Sequence, residues 1–119
     1  YNVFNIAFVE GIEFKLPPKQ EHNRIGECER IIQAIPMPPA IKYQGDQPSY
    51  NHSQDLVTIP TLANFTTPEE YYATLFHELA HATGHEKRLN RECLTKMSAF
   101  GSEAYCKEEL VAEIATCLL

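Results

Sequence analysis

The chain has 119 residues, enough for one domain with a single modest core. With 16 acidic and 10 basic residues it carries a net charge of −6, almost all of the acid being glutamate, which excludes a nucleic-acid surface within this segment on electrostatic grounds. No run is long and apolar enough to span a bilayer and no signal-peptide pattern is visible, so no membrane partner is expected.

The cysteines at 28, 93, 106 and 117 form no C-x-x-C pair, which argues against a zinc ribbon or a redox motif. Cys28, Cys106 and Cys117 fall in helical patterns, where buried free thiols are expected, and a reducing cytoplasm suits them. The chain opens without methionine and stops inside an apolar run, residues 114–119. A single domain, residues 1–119, cut from a longer protein is therefore expected.

Residues 1–10, with Val3, Phe4, Ile6, Phe8 and Val9, read as a strand, and residues 11–20, with Pro17 and Pro18, as loop. Residues 21–35 place Ile25, Cys28, Ile31, Ile32 and Ile35 at helical spacing, and the prolines at 36, 38 and 39 end that helix. Residues 41–43 and 49–51 flank Gly45-Asp46 as a hairpin, and residues 55–59 alternate as a further strand. If that last strand forms an exposed edge, it could hold an extended peptide by main-chain hydrogen bonds; a plain edge strand is the simpler expectation. His52, in a turn-like run, is expected to be solvated.

Residues 67–84 read as one helix carrying His77-Glu78-x-x-His81, the H-E-x-x-H pattern of zinc proteases. Thr67 suits the N-cap, Pro68 the first helical position and Glu70 a capping box, while Gly84 sits where a left-handed C-cap belongs. Tyr72, Leu75, Phe76 and Leu79 form an apolar stripe that buries the helix and aims the histidines. Residues four apart lie about 40° apart around a helix, so both imidazoles can reach one ion. The basic cluster His85, Lys87, Arg88 and Arg91 follows the helix C-terminus, where the dipole favours positive charge. Ser102 opens a final helix with an expected buried stripe of Leu110, Ile114, Cys117 and Leu118, and with Glu109 and Glu113 on another face.

Residues 71–85 (Tyr-Tyr-Ala-Thr-Leu-Phe-His-Glu-Leu-Ala-His-Ala-Thr-Gly-His), 88–91 (Arg-Leu-Asn-Arg) and 108–114 (Glu-Glu-Leu-Val-Ala-Glu-Ile) together resemble the C-terminal zincin-like metallopeptidase domain of the ArdC antirestriction family. The opening Tyr-Asn-Val-Phe-Asn and the strand before Pro60 extend the resemblance over nearly the whole chain, although residues 44–50, with Pro48, depart from the Gly-x-x-Ala-Tyr-Tyr pattern associated with the family. The resemblance implies an α+β fold of gluzincin type, in which a small, mostly antiparallel sheet packs against the H-E-x-x-H helix and a C-terminal ligand helix. It also implies a cytoplasmic bacterial protein, often borne on mobile elements, that meets single-stranded DNA only through an N-terminal domain missing here.

A catalytic zinc needs three protein ligands and an open position for water. Glu78, beside the ligands but not one of them, is placed to take the water's proton and later return one to a leaving amine. Metzincins put their third histidine where this chain has Lys87, whose ammonium cannot bind zinc. His85 would have to turn back across Gly84. Glutamate-ligand zincins instead use a carboxylate from a later helix, with an acid four positions on behind a zinc histidine. On that spacing His77, His81 and Glu109 are the expected ligands and Glu113 the hydrogen-bond partner of His77 or His81; Glu108, turned by about 100°, is the next candidate ligand. Tyr105 is expected to be packed rather than catalytic. Two functions fit: a zinc-dependent peptidase acting on a peptide or protein, or a metal-stabilised binding module that protects DNA or blocks a restriction enzyme without cleaving anything. Both need the histidines, and only the first needs Glu78.

Overall fold

In the computed structural model, which describes residues 11, 21–95 and 103–119, three short strands form a mixed sheet in the order β1-β3-β2. β1 (Ala40–Tyr43) runs parallel to β3 (Leu56–Ile59), with Ile41 opposite Val57, and β2 (Ser49–Asn51) runs antiparallel to β3, with Tyr50 opposite Val57. The strand expected over residues 1–10 and most of the loop after it lie outside the described residues.

The strand segments stand where expected, but their pairing does not. Turn chemistry lies at 51–55 rather than at Gly45-Asp46: the Asn51 side chain accepts from the Gln54 N–H at 3.1 Å, and Asp55 adopts a left-handed conformation, φ 49°, with its N–H bonded to His52 O at 3.2 Å. That tight turn folds β2 back on β3. Consequently β3 is the centre of the sheet, not its edge, with Val57 and Ile59 fully buried.

α1 (Gly26–Ala34) begins five residues later than the apolar pattern suggests, because residues 21–25 run extended and His22 Nε2 sits 2.9 Å from Phe65 O. Its five expected apolar residues, Ile25 to Ile35, all pack on the core. α2 (Pro68–Thr83) starts as its caps require: Thr67 Oγ1 accepts from the Glu70 N–H at 3.2 Å, and Glu70 reaches back to the Thr66 N–H at 3.0 Å. Its stripe, with Tyr71 added, packs on Val57 and Ile59. Leu75→Ala is expected to lower the unfolding free energy by about 2–5 kcal/mol, since Leu75 is almost fully buried. Denaturant titration checks this, and a negligible change would contradict the packing described.

Gly84 ends α2 in a right-handed conformation, φ −79°, not the left-handed cap its residue type suggests. Glycine suits the position for another reason: a Cβ there would stand 2.9 Å from the Arg91 guanidinium carbon and closer still to Leu94 Cδ1, so both side chains would have to shift. A short α3 (Glu92–Thr95) then leads towards α4 (Glu103–Leu118).

α4 packs on α2 with the opposite face from the one its apolar residues mark. Ala112 and Glu108 are buried, whereas Leu110, Ile114, Cys117 and Leu118 are exposed. The small side chain of Ala112 lets the two helices approach closely, and its glutamate neighbours then meet the imidazoles of α2. The inward face of this helix thus combines Glu108 with small or apolar residues, Val111, Ala112 and Ala115. Cys106 and Cys117 are exposed free thiols and Cys28 is half-buried, so the expectation of buried thiols fails for two of the three. No helix among the described residues is long and apolar enough to cross a membrane.

Arg88 ties the end of α2 to the sheet. It forms an ion pair through both terminal nitrogens with Asp55, and donates to Ala82 O at 2.7 Å and Met37 O at 2.9 Å. The hydrogen-bonded guanidinium holds the Asp55 carboxyl below its usual range, against the opposing effect of burial and with help from the Tyr50 hydroxyl. A depressed carboxyl stabilises the fold above its unfolded value, and that contribution is lost as pH falls through the folded value. Asp55→Asn should therefore cost about 1.5–3 kcal/mol at neutral pH and flatten the acid limb of the stability profile. Parallel acid limbs in the two proteins would contradict it.

Candidate metal centre

One turn of α2 separates His77 from His81, and both rings lean towards α4. Their Nε2 atoms lie 3.1 Å apart, and the Glu109 carboxylate stands 3.6 Å from His77 Nε2 and 3.7 Å from His81 Nε2. One ligand atom from each of the three falls within 4.8 Å of the others. Donors about 2.0–2.1 Å from a tetrahedral ion lie about 3.4 Å from one another, so this spacing fits a single first-row divalent cation.

The other ring nitrogens explain the direction of the lone pairs. His77 Nδ1 faces Glu113 Oε1 at 3.5 Å, and His81 Nδ1 faces Glu108 Oε1 at 3.3 Å. With a proton on each Nδ1, shared with its carboxylate, both Nε2 atoms would be acceptors converging with Glu109 on one point, an arrangement that a cation between them relieves.

Glu78, which follows Tyr71 and Leu75 at helical spacing along α2, is only 9% exposed. Burial pushes its carboxyl up, while His81, His77 and a hydrogen bond from the Tyr50 backbone oppose that rise and Glu109 adds to it. A cavity of about 360 Å³ opens beside it, bounded by Pro48, Thr74, His77, Glu78, Glu113 and Thr116. β2, at an edge of the sheet among the described residues, leads from Pro48 past this cavity.

His85, the strained alternative, does not join the cluster: it is buried, its Nδ1 accepts from the Lys87 N–H at 3.2 Å, and its ring packs on His52 with centroids 4.9 Å apart. One sequence expectation is corrected here: His52 is only partly solvated, its Nε2 being buried with no hydrogen-bond partner among the described residues. The side chain of Tyr105 lies outside the described residues. Arg91 and Glu108 are the pair that spacing did not reveal in their observed roles. Arg91 appears in the sequence only as part of a basic cluster, and its ion pair crosses from the loop after α2 to α4.

A family model described as zincin-like metallopeptidase matches residues 26–119. The chain is 40% identical over 119 residues to a DNA primase TraC of Escherichia coli, a match covering 98% of this chain and 8% of that protein. It is 36% identical over 120 residues to the uncharacterized protein y4eC of Sinorhizobium fredii (strain NBRC 101917 / NGR234), covering 100% of this chain and 38% of y4eC. Among solved structures, the Mn(II)-bound antirestriction protein ArdC from plasmid R388 superposes with a TM-score of 0.66 at 31% identity, covering 92% of this chain and 40% of ArdC. The metal-free form of ArdC gives 0.63 at 30% identity, covering 97% and 40%. The chain thus spans less than half the length of each of these relatives, and the match to the family model runs through α1, the sheet, the H-E-x-x-H helix and α4. This chain belongs to the zincin-like metallopeptidase family, in the branch that includes the antirestriction protein ArdC.

Proposed function

We propose that this chain is a zinc-dependent peptidase domain of an ArdC-like antirestriction protein, with His77, His81 and Glu109 as metal ligands and Glu78 as general base. The observation that supports it best is the convergence of those three donors beside a buried glutamate at the wall of an open cavity. Two imidazoles and one carboxylate form a set that zinc favours, and the ArdC of plasmid R388 has been solved with Mn(II) bound, which supports a divalent ion. When bound, such an ion supplies Lewis acidity to a scissile carbonyl and to water. Glu78 takes the proton of the attacking water and passes one to the departing amine. Edge strand β2 holds the substrate as an added strand, which carries an extended peptide past Glu78. Contact with single-stranded DNA belongs to other parts of the parent protein, in keeping with a net charge of −6 here, and the cytoplasm is the proposed setting.

Incubation of the zinc-loaded chain with a peptide mixture, read by mass spectrometry, tests this reading. Cleavage that a chelator abolishes and added zinc restores is expected. Absence of cleavage under every divalent metal, with the metal bound, would leave the non-cleaving binding module as the better account.

A further inference from the structure

We infer that Arg91 is a positioning residue for the metal centre, holding Glu108 so that Glu108 fixes the tautomer and ring orientation of His81. This rests on the metal-site reading above and extends it to a residue outside the ligand set. The guanidinium grips Glu108 with two bonds, Nε to Oε2 at 2.9 Å and Nη2 to Oε1 at 2.5 Å, and the same Oε1 stands 3.3 Å from His81 Nδ1. The Glu108 side chain is 4% exposed, so its charge needs a fixed partner inside the protein.

The guanidinium is itself anchored. Nη1 donates to Thr83 Oγ1 at 2.6 Å and Nη2 to Ala80 O at 2.9 Å, both on the last turn of α2. The Arg91 N–H bonds to Gly84 O at 3.0 Å, and the missing Cβ of Gly84 leaves the space the guanidinium occupies. One side chain therefore locks the end of the ligand-bearing helix and the carboxylate behind one of its ligands into a single arrangement. A carboxylate held in this way is placed to accept the Nδ1 proton of His81 and leave Nε2 free to bind. Lysine has one point of charge and cannot reproduce the fork.

The test uses the full chain in metal-free form and reads the ring-nitrogen shifts of His81 by NMR at a pH well above histidine titration. Wild type should show the Nδ1-protonated tautomer, and Arg91→Met and Glu108→Gln should each lose that bias. Zinc affinity, measured by competition with a chromophoric chelator, should fall about 10- to 100-fold in each. Arg91→Lys should fall between wild type and Arg91→Met. The double variant should bind zinc no more weakly than the weaker single variant, because the two residues act in series. An unchanged tautomer and zinc affinity in Arg91→Met, or losses that add in the double variant, would overturn the inference. Should Arg91→Met fail to fold, Arg91→Lys and Glu108→Gln carry the same decision, since a wild-type tautomer in both overturns it. If wild type binds no zinc, the metal reading fails, and the tautomer series still decides what Arg91 does.

Discussion

Glu78→Gln is expected to keep the metal and lose peptide hydrolysis by about 10²–10⁴-fold. Glutamine has the shape of glutamate but no basic oxygen, so it leaves the packing intact and removes the proton acceptor. The neighbourhood suits a base: Glu78 is 9% exposed, and burial raises its affinity for a proton while His81 and His77 keep the charged form accessible. Zinc affinity should be little changed, because Glu78 stands beside the ligand set and not within it. Measurement of turnover and of bound metal on the same preparation separates the two effects. In an ArdC-like antirestriction protein carrying this domain the variant would also discriminate between functions, since full protection from restriction with the metal retained would favour a binding module over a peptidase.

Glu109→Ala should abolish tight zinc binding, whereas Glu113→Ala should weaken it only about 10- to 100-fold. Both glutamates face His77, but they meet different atoms. Glu109 approaches the Nε2 side at 3.6 Å, where the three acceptors converge, and Glu113 approaches Nδ1 at 3.5 Å. Removing the first takes away one donor of three; removing the second loosens a ring that still binds. The same contrast should appear in thermal melts, because a ligand present at 100 times its dissociation constant stabilises the native state by about 2.7 kcal/mol. Zinc should raise the melting temperature of wild type and of Glu113→Ala but not of Glu109→Ala. Equal and small effects from both variants would contradict the assignment.

The parts of this fold legible in the sequence are those where several local signals agree. Thr67, Pro68 and Glu70 cap α2 in the structure as their residue types dictate, and its stripe makes the core. The parallel pairing of β1 with β3 is not legible, because it joins segments whose order in the sheet depends on a crossover. The turn at Asn51 to Asp55 could have been read from Asn-x-x-Gln and a left-handed Asp, but Gly45-Asp46 gave the more conventional hairpin signal. The inward face of α4 is not legible for a physical reason: its larger apolar residues lie on the exposed side, and its buried side holds Glu108, which meets His81, and the small Ala112. Periodicity registers hydrophobicity and is blind to an inward face that carries a glutamate. Spacing did identify Glu109 and Glu113 as sharing a face, since four residues make nearly one turn whichever way the helix is rotated. Glu108, by spacing only an alternative to Glu109, meets Arg91, a partner 17 positions away across a loop that no local pattern shows.

Anomalous diffraction at the zinc edge from zinc-soaked crystals tests the central claim most directly. The account predicts one strong peak about 2.0–2.2 Å from His77 Nε2, His81 Nε2 and a Glu109 oxygen. A peak on the Glu108 side of the His81 ring, a peak between His52 and His85, or no peak near α2 at all would contradict it.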